Sequence, residues 1–286
     1  MRKDANKKTV LITGASSGIG LETARYLKAK GFQVFAGVRK KEEAMSQEQD
    51  IGRIIPICLD VTRAEDIKEA VTLIESHTGA AGLSGLVNNA GVPAGGPMEF
   101  IRVETVRRVM EVNLMGAISM TQAFLPMIRR GKGRIINVSS ISGRIAFPFV
   151  GPYAASKFAL EAFSDSLRVE LKPWSIPVSV IEPGDVATPI WEKTGPIINA
   201  DSATFPSAAQ RQYGPIFQKI NAIKIHGIPP ATVAQKIHHA LTVKWPKARY
   251  LIGSDAKIAA VIACLPATIR DFIIRQFLPP YGETDM

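Results

Sequence analysis

The stretch TGASSGIG, residues 13–20, decides the fold class because it joins an apolar run to the start of a helical pattern. The apolar run before it, KTVLIT (8–13), has the character of a strand buried on both faces. Gly14, Gly18 and Gly20 are spaced differently from the G-x-G-x-x-G fingerprint of dinucleotide-binding turns, but they meet the same physical needs. They permit a tight turn, close approach of the backbone to a pyrophosphate, and close packing of helix on strand. We therefore predict a phosphate-binding turn at a helix N-terminus, where free N–H groups and the helix dipole attract anions.

Short apolar segments alternate with longer helical patterns along most of the chain. The segments are nearly continuous in apolar residues, as strands covered on both faces are. Strands that alternate with helices build parallel sheets, so we predict an α/β fold: a Rossmann-like, doubly wound sheet of about seven strands with helices on both faces. The predicted strands are 8–13, 32–38, 53–61, 83–89, 133–140, 177–183 and 248–253, and the predicted helices lie near 18–30, 63–77, 103–129, 153–172 and 231–244.

Two segments interrupt this alternation. Residues 188–230 are irregular and rich in Pro and Gly, and so long an irregular segment inside a domain usually covers a binding site. We predict that this segment is a substrate-binding lid inserted in one catalytic domain, residues 8–253. Residues 254–286 form a C-terminal extension and not a separate domain.

The C-terminal extension carries an amphipathic pattern after Pro266. Such a helix can dock onto the domain, contact another subunit or lie on lipid. We favour docking or subunit contact, because amphipathic helices of globular proteins are the commoner case. The apolar side of the pattern consists of Ile269, Phe272, Ile273 and Phe277, and the polar side of Arg270, Asp271 and Arg275.

The net charge of +10 would attract phosphates, anionic lipid or nucleic acid. The basic residues are spread along the chain apart from the RKDANKK segment, and no zinc-finger or RNA-binding signature occurs. We therefore expect an anionic small molecule and no nucleic acid, with a salt-dependent nucleic-acid binder as the alternative. The four histidines (His77, His226, His238 and His239) lack ligand spacing, so we predict no metal site.

The two cysteines, Cys58 and Cys264, lie far apart in apolar surroundings, and we predict two buried thiols in a reducing compartment. The opening MRKDANKK is followed at once by a strand, which argues against a signal peptide. No run of about 18 apolar residues exists that could span a bilayer. We expect a cytoplasmic location and leave peripheral membrane contact through the C-terminal helix open.

Six short motifs follow one another along the chain: TGASSGIG (13–20), LDV (59–61), NNAG (88–91), NVSS (137–140), YAASK (153–157) and PGDVAT (183–188). Together they resemble the classical short-chain dehydrogenase/reductase family, and the resemblance covers roughly residues 8–253. The strand VFAGVRK (34–40) and the tail resemble the branch of this family that acts on steroids and retinoids. That branch is often membrane-associated.

Tyr153 and Lys157 stand four residues apart at the start of a helix and therefore share a face. A tyrosine with its ordinary pKa near 10 exchanges protons poorly near neutrality, and a neighbouring ammonium lowers that pKa. The resemblance adds Ser140, thirteen residues before the tyrosine, as the hydroxyl that binds the substrate oxygen. It also adds Asn113, whose backbone carbonyl would hold a water linking Lys157 to solvent. The resemblance thus implies a catalytic tetrad of Asn113, Ser140, Tyr153 and Lys157.

The resemblance implies the remaining cofactor contacts in the same way. Asp60 would touch the adenine, although it could instead cap the helix that follows, while Asn88 would tie strands together. Lys157 would hold the nicotinamide ribose. The implied cofactor-binding residues are Gly14, Ser16, Ser17, Gly18, Ile19, Gly20, Asp60, Val61, Asn89, Ala90, Gly91, Tyr153, Lys157, Pro183, Gly184, Val186 and Thr188.

The end of the second strand, AGVRKK (36–41), points to NADP(H) over NAD(H). An acidic residue there binds the ribose 2′-hydroxyl of NAD, whereas a basic residue binds the 2′-phosphate of NADP. Val38 occupies the place of the acid, and Arg39 offers a planar fork that suits a phosphate. The turn residues ASS (15–17) add no further base, so use of NAD(H) remains open.

Aromatic residues near Tyr153 and in the segment after Thr188 indicate a lipophilic substrate. We predict an NADP(H)-dependent oxidoreductase of lipophilic ketones, aldehydes or secondary alcohols, with a catalytically idle nucleotide sensor or scaffold as the alternative. By the resemblance, helices 103–129 and 153–172 would pair across a two-fold axis in a homodimer or homotetramer. The predicted substrate residues are Ser140, Phe147, Phe149, Tyr153 and Trp191.

Overall fold

A seven-stranded, all-parallel sheet forms the centre of the protein. The computed structural model describes residues 8–40, 54–188, 205–222 and 227–278. The strand order is β3-β2-β1-β4-β5-β6-β7, so the chain leaves β1 toward one edge and later returns to build toward the other. The strands are β1 (Thr9–Ile12), β2 (Gln33–Val38), β3 (Ile54–Cys58), β4 (Gly85–Asn88), β5 (Arg134–Val138), β6 (Val178–Pro183) and β7 (Arg249–Ile252).

Helices cover both faces of this sheet, which confirms the predicted doubly wound α/β fold. Helices α1 and α7 pack on one face, where Leu27 and Ile237 join the core. Helices α2, α4 and α5 pack on the other, where Ile74 and Phe124 are buried. The helices of the described residues are α1 (Gly18–Ala29), α2 (Ala64–Thr78), α3 (Val103–Met110), α4 (Gly116–Arg130), α5 (Gly151–Glu170), α6 (Ser207–Ala222), α7 (Pro230–Thr242), α8 (Ser254–Ala263) and α9 (Ala267–Gln276).

A buried polar relay holds the centre of the sheet in register. Asn88 Nδ2 on β4 donates to Asn137 Oδ1 on β5 at 2.9 Å, and Asn137 Nδ2 donates to Ser164 Oγ on α5 at 2.8 Å. Each group would cost free energy if it were buried without a partner, so a shift of β4 against β5 is penalised. The expectation that Asn88 ties strands together is confirmed.

The helix predicted over 103–129 is interrupted. Glu111–Met115 forms a π-helical turn between α3 and α4, with Asn113 buried inside it. Such turns insert one residue into a helix and occur most often at functional sites. The apolar pattern continues through the turn, which is why the sequence predicts a single helix.

The segment 188–230 was predicted to be irregular, and this is wrong for Ser207–Ala222, which form α6. Pro215 lies inside this helix and removes a backbone hydrogen bond, but Ile216 and Phe217 next to it are buried. Their burial offsets the local cost. Residues 189–204 and 223–226 lie outside the described residues.

The C-terminal helices pack on the segment that follows β5. Ala259 on α8 and Ile274 on α9 are buried against Ile145. The predicted apolar side of α9 is therefore not the side that docks, because Phe272 is 66% exposed and Phe277 is 69% exposed.

The prediction of buried thiols is wrong for both cysteines, which are free and exposed. Cys58 ends β3, and β3 is an edge strand of the sheet with a neighbour on one side only. Cys264 follows the last residue of α8. Apolar neighbours in sequence do not bury a residue at a sheet edge or a helix end.

Candidate active site

The glycine-rich turn after β1 lies against the chain that leaves β4. Gly14 has φ +65°, a conformation that favours glycine, and a Cβ there would lie 2.8 Å from Ala90 Cα. Gly18 has φ +56°, and a Cβ on it would lie 3.2 Å from Thr188 Cβ. Gly14 is thus required by close backbone approach and Gly18 by its positive φ and the nearby Thr188 side chain, and the two positions bring the turn, the β4 loop and the β6 loop together.

Thr13 and Asn89 fix the geometry of this contact. The Thr13 hydroxyl accepts hydrogen bonds from Asn89 N at 3.0 Å and Ala90 N at 2.9 Å. Asn89 Nδ2 donates back to Thr13 O at 2.9 Å and Gly14 O at 3.1 Å. Asn89 therefore braces the glycine turn with its side chain, a role that the sequence pattern alone did not reveal.

The N-terminus of α1 suits an anion. Ser17 occupies its N-cap without a side-chain cap, and the first turn contains no acidic residue. Ser16, Ser17 and Ile19 are half-buried around this end. A helix N-terminus of this kind is a ready site for a pyrophosphate, so the described residues fit a dinucleotide here.

Arg39 and Asp60 lie at the ends of β2 and β3, on the side where the adenosine would bind. Arg39 is exposed, whereas Val38 before it is only 2% exposed and belongs to the core. Burial would raise the pKa of Asp60, but hydrogen bonds from Thr62 and the nearby charges of Arg39 and Arg63 lower it overall.

The helix-capping role that the sequence left open for Asp60 is wrong, because the N-cap of α2 is Arg63 and has no side-chain cap. Asp60 Oδ1 accepts from Thr62 N at 2.9 Å and from Thr62 Oγ1 at 2.7 Å, which shapes the turn before α2. Val61 beside it is buried against Gly116 of α4. The structure therefore gives Asp60 a structural task in addition to its proximity to Arg39.

The four predicted catalytic side chains come together between β5, α5 and the π turn. Ser140 hydrogen-bonds the Tyr153 hydroxyl, and Lys157 Nζ lies 5.7 Å from the centre of the Tyr153 ring. Lys157 Nζ donates to Val138 O at 2.9 Å. A Cβ on Gly91 would lie 3.4 Å from Asn113 Oδ1 and 3.8 Å from Lys157 Nζ, so all of these residues border one space.

Asn113 is anchored by its side chain. Its Oδ1 accepts from Val92 N at 2.8 Å, and its Nδ2 donates to Val92 O at 3.0 Å and Ser156 Oγ at 2.9 Å. These three bonds tie the π turn to the chain after β4 and to α5. The side chain is thus fully engaged, which is compatible with a role for the backbone of Asn113.

The expected direction of the Tyr153 pKa is wrong for the protein alone. Burial raises the pKa of Tyr153, and the hydrogen bond with Ser140 lowers it only in part. Tyr153 as a whole is half-buried. Burial also lowers the pKa of Lys157 to about 8, against the opposite effect of the Glu161 carboxylate. Desolvation outweighs the tyrosine–ammonium attraction that the sequence suggests.

The turn after β6, which the resemblance assigns to the nicotinamide, is held by the C-terminal extension. Asp255 Oδ2 accepts from Asp185 N at 2.6 Å, and a Cβ on Gly184 would collide with the Asp255 carboxylate. Val186 is buried and forms a β-bridge with Ile228. Asp255 is a site residue that the sequence analysis missed, because it lies seventy residues away along the chain from Asp185.

Aromatic side chains pack beside this cleft, and we call Phe100, Phe149, Phe205, Tyr213 and Phe217 the aromatic cluster. Phe149 and Tyr213 meet edge to face at 5.9 Å between ring centres, and the Tyr213 hydroxyl donates to Glu99 Oε1 at 2.7 Å. Phe149 is buried in this cluster, with φ +68°, whereas Phe147 is 37% exposed. The predicted substrate residue Trp191 lies outside the described residues.

The family model described as short chain dehydrogenase matches residues 8–197, more than half of the chain. The strand order, the glycine turn and the grouping of Ser140, Tyr153 and Lys157 agree with that match. The chain belongs to the short-chain dehydrogenase/reductase family. It is therefore an oxidoreductase that acts on CH–OH groups and uses a nicotinamide dinucleotide.

Curated relatives place the chain in the steroid and retinol dehydrogenase-like branch of this family. It is 38% identical to 17-beta-hydroxysteroid dehydrogenase type 6 of Bos taurus, covering 95% of this chain and 89% of that protein. It is 37% identical to retinol dehydrogenase 5 of Mus musculus, with 96% and 90% covered. It is 38% identical to the mitochondrial D-beta-hydroxybutyrate dehydrogenase of Mus musculus, with 86% and 77% covered.

A solved structure has the same fold. A short-chain dehydrogenase from Burkholderia cenocepacia J2315, in complex with NADP, superposes with a TM-score of 0.72 at 27% identity. The superposition covers 97% of this chain and 100% of that chain. The likeness extends the family assignment to nearly the whole chain.

Proposed function

We propose that the protein is an NADP(H)-dependent reductase and dehydrogenase of lipophilic ketones, aldehydes and secondary alcohols. The observation that carries this proposal is the grouping of Ser140, Tyr153 and Lys157 beside the glycine turn. Such a group can hold a carbonyl oxygen, deliver a proton to it and bind a ribose. A catalytically idle relative would have no need to bury Lys157 beside a tyrosine.

Each of these side chains has a distinct task in carbonyl reduction. A bound nicotinamide supplies the hydride. The Ser140 hydroxyl binds the carbonyl oxygen and holds it next to the Tyr153 hydroxyl, which donates the proton. Lys157 favours the phenolate that remains, because an ammonium stabilises nearby negative charge. In the reverse direction, the Tyr153 phenolate accepts the proton of the alcohol.

The preference for NADP(H) rests on Arg39. It is exposed at the end of β2, and Asp60, an acidic residue near it, is engaged by Thr62. The guanidinium can therefore turn to a 2′-phosphate with its planar fork. The relative in complex with NADP supports the same choice.

The substrate class rests on the aromatic cluster and on the names of two relatives. The cluster packs around Phe149 and Tyr213, next to the chain that leads into α5 and Tyr153. Apolar, aromatic walls bind lipophilic molecules better than charged acids. A small hydroxy acid is the second candidate, since a hydroxybutyrate dehydrogenase is equally similar to this chain.

We infer that the protein forms a homodimer or homotetramer through α5. One face of this helix is exposed along its length and carries no charge, which is unusual for a helix facing water. Met115 in the neighbouring π turn is also exposed. A second copy of the same surface would cover both. The exposed face consists of Ala155, Phe158, Ala162, Ser166 and Val169.

We also infer that α8 and α9 lie on a lipid surface. The exposed apolar side chains are Ile258 and Val261 on α8, Ile269 and Phe272 on α9, and Phe277 just after α9. Basic side chains flank them, and the net charge is +10, which favours anionic headgroups. No helix among the described residues is long and apolar enough to cross a membrane. Contact would therefore be peripheral, while a cytoplasmic location stays a prediction.

The proposed catalytic role predicts the behaviour of Tyr153→Phe. Turnover of the best ketone should fall by about 10²- to 10⁴-fold, because the proton donor is lost. NADPH affinity, followed by nicotinamide fluorescence, should stay within a few-fold of wild type. Tyr26→Phe, a tyrosine on α1 remote from the site, is the matched control. A Tyr153→Phe enzyme as active as wild type would refute the assignment.

Arg39→Ala should lower kcat/KM with NADPH by about ten- to a hundredfold, because a charge-assisted phosphate contact is worth about 1.5–3 kcal/mol. The value with NADH should change little. Arg63→Ala is the control, since Arg63 also lies near Asp60 and is exposed. Steady-state kinetics with both cofactors measure the ratio, and a wild-type enzyme that prefers NADH would contradict the role of Arg39.

Light scattering at micromolar concentration should give the mass of a dimer or tetramer. Phe158→Arg places a charge at the centre of the proposed contact and should shift the mass toward that of a monomer. Trp245→Arg, at an exposed position outside α5, should leave the mass unchanged. A wild-type monomer would contradict the proposed assembly.

Replacing both Phe272 and Phe277 by Glu should lower partitioning onto phosphatidylcholine–phosphatidylserine vesicles by about tenfold or more, because each buried Phe contributes about 1.5–3 kcal/mol. Flotation measures the bound fraction. Trp245→Glu is the control, because Trp245 is 80% exposed but lies away from both helices. Unchanged partitioning would refute lipid contact, and a change of oligomeric mass instead would assign this surface to a second copy.

A further inference from the structure

Four charged side chains form a cluster behind Lys157, and we call Arg144, Glu161, Glu182 and Arg249 the charge cluster. Arg249 Nε lies 3.1 Å from Glu161 Oε2 and 3.3 Å from Glu182 Oε1. Arg144 Nε donates to the same Glu182 oxygen at 2.7 Å. The four residues come from four segments: the chain after β5, α5, β6 and β7.

This cluster is costly to bury. Glu182 is fully buried, and Glu161 is nearly so. Two carboxylates against two guanidiniums balance in charge, but desolvation of such ions often exceeds what their attraction returns. Glu182 Oε2 and Glu161 Oε1 also lack a well-aligned hydrogen bond among the described residues. Because burial of the charge cluster costs free energy, we expect the cluster to have a role beyond folding.

Glu161 connects the cluster to the catalytic group. It lies one helical turn after Lys157 on α5, so both side chains share a face. The short turn after Ser140 fits between them, because a Cβ on Gly143 would lie 2.8 Å from Ser139 Oγ, 3.0 Å from Glu161 Cγ and 3.1 Å from Lys157 O. The Glu161 side chain and the backbone of Lys157 therefore pack against the same turn, at Gly143.

The protonation of the two groups is linked. Burial lowers the pKa of Lys157 to about 8, and the Glu161 charge opposes that decrease. Burial raises the pKa of Glu161 to about 7, with Glu182 adding to the increase and Ser139 and Arg249 reducing it. Lys157 therefore loses its charge just above neutrality, and the Glu161 carboxylate moves that loss to higher pH.

We propose that Glu161 is a positioning residue of this reductase, held in its buried place by Arg249, which keeps the Lys157 ammonium charged at neutral pH. The inference rests on the catalytic role given to Lys157 in the proposed function. Glu161 itself touches neither substrate nor cofactor and acts through Lys157.

Several charged groups face Lys157 and Glu161, and together they determine the direction in which the Lys157 pKa shifts. An ammonium is present below its pKa, so a lower Lys157 pKa means less ammonium at pH 7.5. Removing the Glu161 charge should lower that pKa further, because the opposing burial remains. The groups that face the pair are Tyr153, Asp165 and Arg168 on α5, Glu182 on β6, Arg249 on β7 and Arg144 after β5.

The direct test is the titration of Lys157 by ¹³C NMR in protein labelled at the lysine ε-carbon, which needs neither substrate nor cofactor. The Lys157 resonance is the one missing in Lys157→Arg. We expect a wild-type midpoint near 8. Glu161→Gln should lower it by about one unit or more, the usual size of a close charge effect on a buried group. Asp165→Asn also breaks a contact with Arg249, but it keeps Glu161 and should move the midpoint by clearly less than Glu161→Gln does.

The kinetic test follows kcat/KM for ketone reduction against pH. The alkaline limb of Glu161→Gln should move to lower pH by the same amount, while Glu161→Asp, which keeps the charge, should restore more than half of the difference. If Glu161→Gln does not fold, Glu161→Asp and Ser139→Ala are titrated instead, and both should lower the Lys157 midpoint by a smaller amount.

An unchanged or higher Lys157 midpoint in these variants would overturn the inference, and so would an active Glu161→Gln enzyme with a wild-type alkaline limb. If the proposed function itself is wrong, a different result is expected. In that case Tyr153→Phe retains full activity, whatever the Lys157 titration shows.

Discussion

The turns that leave β1 and β4 touch each other, and this contact determines where the chemistry can take place. The strand order reverses at β1, so successive connections diverge there and open a crevice at the carboxyl edge of the sheet. Gly14 lets the first turn approach Ala90, and the Thr13 hydroxyl accepts hydrogen bonds from the second turn. A side chain on Gly14 would separate the two turns. The pyrophosphate site and the start of the catalytic region are therefore positioned by one backbone contact.

Burial of charge dominates the chemistry on the other side of the crevice. Lys157 is almost fully enclosed, and its ammonium donates to the carbonyl of Val138. Burial lowers the pKa of Lys157 and raises the pKa of Tyr153. In the protein alone, both shifts favour neutral groups. A charged Lys157 therefore needs negative charge nearby, which is the role we propose for Glu161, itself paired with Arg249.

Much of the fold and of the site could be predicted from the sequence because the signals are local. Apolar runs between helical patterns gave all seven strands, and the spacing of Tyr153 and Lys157 placed them on one helical face. Features that depend on distant residues could not be predicted. Asp255 holds the turn at Asp185 from the C-terminal extension, and Arg249 reaches Glu161 from the last strand.

The errors have the same physical origin. The apolar pattern of α9 leaves open whether the domain, another subunit or lipid covers it, and only the tertiary contact shows that Ile274 is the residue that packs on Ile145. The helix α6 forms despite Pro215 because its apolar residues are buried against the aromatic cluster. The predicted direction of the Tyr153 pKa shift was wrong because the four-residue spacing does not show that the tyrosine is buried.

The cofactor side and the substrate side of the crevice obey different constraints. On the cofactor side, glycines and backbone hydrogen bonds fix how the turns approach each other, whereas the relatives similar to this chain are named for a steroid, a retinol and hydroxybutyrate. Overall identity is therefore a poor guide to the substrate, because two relatives named for very different molecules are both 38% identical to this chain. The side chains on the substrate side of the crevice must therefore determine which substrate binds. Here Leu278, just after α9, packs against the aromatic cluster, so the exposed apolar helices and the aromatic side chains form neighbouring surfaces. Apolar and aromatic surfaces of this kind favour the lipophilic substrate class that we propose over a small charged acid.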